Sequence, residues 1–142
     1  MRLRLHLWIV LAGLTTASLA CELPKPPITP PKSSYTVAKA KVAVNGDSET
    51  TDVARATRAS FDIDGLHPLL GRFFSEPDYR AGAVRVAVLS HEYWMNRFRG
   101  DPAVIGSNVL VNDERAVIVG VAHPRFKADV AVSVWVPART GE

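Results

Sequence analysis

The side chains of this 142-residue chain that could carry chemistry are one cysteine, four histidines and fourteen scattered carboxylates. Cys21 stands alone, so it can close no intramolecular disulfide and found no cysteine-based zinc cage. His6, His67, His91 and His123 include no pair at a ligand spacing such as i,i+4, and a metal site would have to be assembled from distant positions. Ser90 and His91 are a hydroxyl beside an imidazole, but sequence neighbours do not give a nucleophile and its base the required geometry. Ser90 is better placed to cap a helix, and His91, at the positive end of that helix, reads as a solvent-facing residue. Asp62, Asp64, Glu76 and Asp78 lack the alternation, central glycine and closing glutamate of a calcium loop and read as solvated turns. No GxSxG elbow, GxxxxGKS phosphate cradle or GxGxxG fingerprint occurs. The inventory predicts a noncatalytic chain with no catalytic residues, no metal and no cofactor; a small secreted hydrolase is the weakest alternative. What remains is a candidate partner-contact patch, Tyr93, Arg97 and Arg99 beside Trp94, because interfaces favour arginine and aromatics. The plainer reading makes Trp94 core and the arginines its wet flank.

Seventeen basic residues against fourteen acidic ones give a net charge of +3. Arg2 and Arg4 lie in a segment expected to be removed, which leaves fifteen against fourteen, or +1. That balance offers no phosphate-neutralising surplus, so no nucleic-acid partner is expected. Residues 1–20 read as an export signal: a basic start, an apolar stretch over 7–14 and a small or polar run ending at Ala20. The apolar stretch is well short of the about 20 residues needed to cross ~30 Å of hydrocarbon. The segment Ser18-Leu19-Ala20-Cys21 resembles a bacterial lipobox, with the departure that Ser18 takes the place of the large aliphatic residue and Leu19 follows one position late. The resemblance implies lipidation of Cys21 and attachment to a membrane through it. Ser18 and Ala20 also suit ordinary signal peptidase, which would leave Cys21 opening a periplasmic or extracellular protein. A thioether removes the liability of a free thiol in an oxidising compartment, and this favours the anchor.

Residues 21–34 hold the lipidation site and a linker. Five of the ten prolines fall within the thirteen residues 22–34, which predicts an extended spacer reaching about 40 Å at ~3.1 Å per residue. From residue 35 to 142 the composition is that of a folded domain. Segments 37–44 (VAKAKVAV) and 50–57 (TTDVARAT), joined through Asn45-Gly46-Asp47, predict a hairpin. Segment 61–66 (FDIDGL) predicts a short helical turn closed by Gly65, and 67–74 an extended or irregular stretch, with Phe61, Leu69, Leu70, Phe73 and Phe74 supplying core. Segment 84–89 (VRVAVL) predicts a strand with Val84, Val86 and Val88 on one face, followed by a Ser90-capped helix HEYWMNRF. Asp101-Pro102 opens a capped turn that Gly106 ends. Segments 108–111 and 116–122 predict a second hairpin through 112–114, with Gly120 marking a bulge or a close backbone approach. A last strand is predicted over 130–136, stopping at Pro137. The sum is an α+β class: a small mixed domain with two β-hairpins, about five or six strands and two or three short helices.

Residues 86–126, followed by VWVPA at 134–138, resemble the later part of the MacB-like periplasmic core domain. There a strand ending in Ser or Asp leads to an aromatic-bearing helix, a GDPxVIG turn, a hairpin closing in VGVA and a terminal VWxP strand. Segment 61–74 (FDIDGLHPLLGRFF) is similar to the family's FFDVLGxxPLLGRxF stretch, so the likeness spans about 36–138 as a partial domain. The resemblance implies a noncatalytic domain that, in its relatives, is inserted between the first two helices of FtsX-type permeases and works by protein contact in a membrane transport complex. Four departures bear on this. No permease helices are expected after residue 138, so transport by this chain alone is not expected. The front of the family domain is replaced by signal and spacer. Ser60 and Asp64 stand where relatives carry Phe and Leu, which predicts a thinner core there, and Asp113 replaces a hairpin glycine, which predicts a slightly strained or differently typed turn. The alternative to a working partner-binding domain is a truncated permease fragment without independent function.

Overall fold

The computed structural model describes residues 24–139; Cys21 and the export signal lie outside them. The first hairpin is longer and tighter than the alternation predicts. Strands β1 (Tyr35–Val44) and β2 (Asp47–Ala56) pair over ten residues each, because Asn45 and Gly46 both take positive φ, 49° and 87°, as a two-residue type I′ turn requires. The turn thus consumes two residues, and β2 begins at Asp47 rather than Thr50.

Beyond the hairpin come β3 (Leu70–Gly71), β4 (Val86–Leu89), helix α1 (His91–Phe98), β5 (Asn108–Val111), β6 (Glu114–Val121) and β7 (Val134–Pro137). The sheet order is β3-β6-β4-β7-β2-β1-β5, with β5 also paired to β6. That additional ladder closes six strands into a ring, with β3 attached outside it. Among the described residues the strands number seven, one more than the upper expectation, and the extra one is β3, too short for any periodicity to show. Only α1 is α-helical among the described residues; the remaining helical pieces are single 3-10 turns at Lys32–Ser34, Arg58–Ser60, Glu76–Tyr79 and Pro102–Val104.

Further boundaries differ from expectation. All four residues of β4 are buried, because the strand runs between β6 and β7, and Val84 lies outside it at 71% exposure. Strand β7 starts at Val134, where its parallel register with Val53 begins; Ala122, Phe126 and Val132, upstream of it, join a second apolar cluster instead. The helical turn expected at 61–66 forms earlier, at Arg58–Ser60, while Gly65 takes φ 77° in a turn that closes through Leu66 N donating to Ile63 O at 3.0 Å.

Two apolar clusters hold the ring. One gathers Val42, Val53, Ala87, Leu89, Ile118 and Val134 with Tyr93 and Trp94 of α1; the other gathers Ala54, Ala56, Val88, Phe126 and Trp135. Phe61 joins the second, stacking on Phe73 at 4.6 Å and meeting Phe126 and Trp135 at 5.3 and 5.6 Å. Leu69, expected in the core, is 41% exposed. Burial of each large apolar side chain contributes about 1.5–3 kcal/mol. Ser60 is fully buried and its hydroxyl donates to Ser34 O at 2.9 Å, which satisfies the polar group placed in this region of core.

The proline segment is not a free spacer throughout its length. Ile28 bridges to Phe126, Ile28 N donates to Arg125 O at 2.6 Å, Arg125 Nη2 donates to Pro26 O at 2.9 Å, and Pro30 is fully buried. Proline offers no donor, but Pro26 accepts through its carbonyl, and Ile28 supplies the main-chain pairing that lays this segment against the domain.

Candidate functional site

Helix α1 forms because Ser90 caps it, accepting from Tyr93 N at 3.2 Å, and it ends where Arg99 turns left-handed at φ 54°. The helix packs at the end of the ring that carries the β1–β2 turn. Of the predicted contact residues, Tyr93 is 7% exposed and belongs to the core, so the structure removes it from the surface patch. Arg97 is half-buried: its Nε lies 3.3 Å from Glu49 Oε1 and its Nη2 donates to Asp47 O at 3.4 Å. Only Arg99 is freely exposed. Tyr93 Oη, Glu49 Oε1 and Arg97 Nε are all sealed from solvent without a well-formed hydrogen bond among the described residues, so Glu49 and Arg97 meet as a charge contact. Burial, reinforced by the Glu49 charge, pushes the Tyr93 phenol up to about 12. This group fastens α1 to β2.

The acidic residues do not converge. Asp62, Asp64 and Glu76 are exposed, whereas Asp78, also read as solvated, is 7% exposed. Asp78 Oδ2 accepts from Arg72 Nη1 at 2.8 Å, Ser75 N at 2.7 Å and Ser75 Oγ at 3.1 Å. Burial raises the Asp78 carboxyl, but the Arg72 and Ser75 bonds outweigh it and hold the group below its ordinary value. His91 is half-buried, its ring 5.8 Å from that of Trp94. Among the described residues no three His, Cys, Asp or Glu side chains gather as a metal-binding group, and no helix is long and apolar enough to cross a membrane.

The opposite end of the ring, where β1 and β4 begin and β2 and β7 end, holds what sequence reasoning missed. A cleft of about 390 Å³ opens there, with Ala40, Val53 and Ala116 at its base and Arg55, Arg85 and Arg139 lining it. Arg85 Nη1 is paired with Glu114 Oε2 at 2.6 Å, and Arg139 Nη2 donates to Val84 O at 2.8 Å. Arg55 is exposed and has no carboxylate partner among the described residues. A neighbouring depression adds Arg58, paired with Glu76, and the exposed Arg80. One signal was present in the sequence: Arg55 shares the parity of the inward-facing Val53, so a charge sits on the apolar face of β2.

Among curated proteins none matches this chain. Its structure is similar to the periplasmic region of MacB from Actinobacillus actinomycetemcomitans, with TM-score 0.61 and 22% identity over 75% of this chain and 47% of that one. It is also similar to the extracellular domain of the noncanonic ABC-type transporter YknZ from Gram-positive bacteria, with TM-score 0.58 and 17% identity over 74% and 52%. A domain of a putative permease protein from Porphyromonas gingivalis is similar with TM-score 0.53 and 15% identity over 73% and 44%. The chain spans about half the length of these solved domains, and at such identities the likeness is one of fold. The family model described as MacB-like periplasmic core domain matches residues 15–142. With the hairpin, the capped aromatic helix and the VWVP strand all in the expected chain order, this chain belongs to the family of MacB-like periplasmic core domains.

Proposed function

We propose that the chain is a noncatalytic extracytoplasmic domain, held at a membrane through lipidated Cys21, that acts by protein contact with a membrane transport complex. The observation that carries this reading is family membership across residues 15–142, joined to a fold in which Asp78, Glu49 and Ser90 fasten its own elements. Asp78 is taken up by Arg72, Glu49 by Arg97 and the Ser90 hydroxyl by a helix amide. The closure of six strands into a ring supports reading the described residues as a folded domain. Two measurements test the proposal in a bacterial host. Intact mass of the membrane-extracted protein should show cleavage before Cys21 and a diacyl or triacyl addition, and Cys21→Ser should release the protein from the membrane fraction. Cross-linking in intact cells should join the chain to a permease; recovery of an unprocessed cytosolic chain, or turnover of a substrate by the purified protein, would defeat the reading.

A further inference from the structure

The hydrogen-bond parity of β1 leaves part of that strand unpaired. Thr57 N donates to Ser34 O at 2.8 Å, and the register runs from there through Tyr35↔Ala56. Even-numbered residues of β1 therefore exchange main-chain bonds with β2, and odd-numbered residues direct theirs to the other side. On that side Lys41 is clasped by the β5–β6 turn: its N–H donates to Asn112 Oδ1 at 3.0 Å and its C=O accepts from Asn112 N at 2.8 Å. The β5 register covers only Val42 and Ala43. The N–H and C=O groups of Val37 and Lys39 consequently face the cleft, with no main-chain partner among the described residues.

An open edge is a template for another strand, and proteins usually guard it with lysine. Here the guards are turned aside, since Lys39 Nζ is paired with Asp52 at 2.9 Å and Lys41 Nζ lies 3.6 Å from Asp113. The cleft beside the edge is floored by small side chains, and at about 390 Å³ it sits near the lower end of the range for ligand pockets. Among the described residues its charge is positive: Arg55 has no carboxylate partner, Arg139 donates to a carbonyl, and Arg80 is close by in the adjoining depression.

We infer that the β1 edge at Val37 and Lys39 is a strand-addition site for an extended, acidic segment of a partner protein. The segment's main chain pairs with Val37 and Lys39, and its carboxylates meet Arg55 and Arg139. Strand pairing supplies affinity and the arginines supply the preference for acidic sequences. This rests on the protein-contact function proposed above and gives it an address. An anionic membrane surface would use the same arginines but leave the two amides unpaired.

The test uses the processed chain purified from membranes in detergent, with a capped peptide of alternating glutamate and valine as the probe. Hydrogen exchange read residue by residue should slow at least tenfold at Val37 and Lys39 when the peptide saturates. The same peptide N-methylated at alternate residues should bind at least tenfold more weakly, and so should the unmodified peptide to the Arg55→Glu, Arg139→Glu variant, in which Arg55 is exposed and Arg139 half-buried and which should keep cooperative melting. Absence of saturable binding, binding without protection of those two amides, or equal binding of the N-methylated peptide overturns the site. Protection appearing with neither peptide while phosphatidylglycerol vesicles bind in an Arg55-dependent way also overturns it, in favour of a lipid surface. If the site fails while cross-linking to a permease persists, the error lies in this edge and not in the contact function.

Discussion

Gly71 and Gly120 face each other across the β3–β6 ladder with no room for a side chain on either. A Cβ on Gly120 would stand 2.1 Å from Arg72 O, and one on Gly71 would stand 2.0 Å from Val119 O. The same stretch of β6 shifts register against β4 between Ala87 and Val88, so Gly120 serves both a bulge and a close approach. Gly120→Ala is expected to lower stability by at least about 2 kcal/mol, because the obstacle is backbone and cannot swing away. The midpoint of urea unfolding measures this; an unchanged midpoint would show that β3 yields freely.

Asp113 occupies the second left-handed position of the β5–β6 turn at φ 65°, after Asn112 at 49°. Glycine adopts that conformation without the steric cost a Cβ carries. Asp113→Gly is expected to raise stability by about 0.5–1 kcal/mol, the exposed contact with Lys41 being worth little. Thermal melting is the readout, and a lower melting temperature would contradict the strain argument.

Tyr93 and Tyr79 are both pushed up to about 12, each chiefly by burial. The unfolded phenol ionises near 10, so between 10 and 12 the native state holds more protons than the unfolded one. Stability is then intact below pH 10 and falls as pH climbs from 10 toward 12. Spectrophotometric titration should show two phenols ionising late, and Glu49→Gln should bring Tyr93 ionisation to lower pH. If the late phase is untouched in that variant, the Glu49 charge does not reach the ring oxygen.

Asp78 works in the opposite direction. Its lowered pKa means that its contribution to stability is present above the ordinary carboxylate value and is lost as pH falls through the native one. Asp78→Asn keeps the shape but weakens charge-assisted bonds from Arg72 and Ser75, at an expected cost of about 1–3 kcal/mol at neutral pH. The difference from wild type should shrink in acid, and a gap that stays constant down to acid unfolding would refute the assignment.

How much was legible depended on how local each determinant was. Asn45-Gly46 announced its hairpin, Ser90 its helix and Gly120 its crowding, since turn chemistry, capping and the absence of a Cβ act within a few residues. The length of β2, the late start of β7 and the existence of β3 follow from partners far away in the chain: Val53 against Val134, Leu70 against Val121. Tyr93 read as a surface residue because its helix face is fixed by α1 packing on the ring, which no spacing within HEYWMNRF reveals. The basic cleft was hidden for the same reason: Arg55 and Arg139 meet only once β2 and β7 are side by side. Only the misplaced charge of Arg55 on an apolar face hinted at it.

Strand β7 sits between β2 and β4 although it is encoded after every other strand. The β1–β2 pairing is local, closed by a two-residue turn, whereas the far side of β2 is covered only by residues 134–137, far along the chain. Closing the ring therefore depends on a pairing of high sequence separation. Any interruption before Val134 leaves an early hairpin with a second bare flank, adhesive to whatever strand passes.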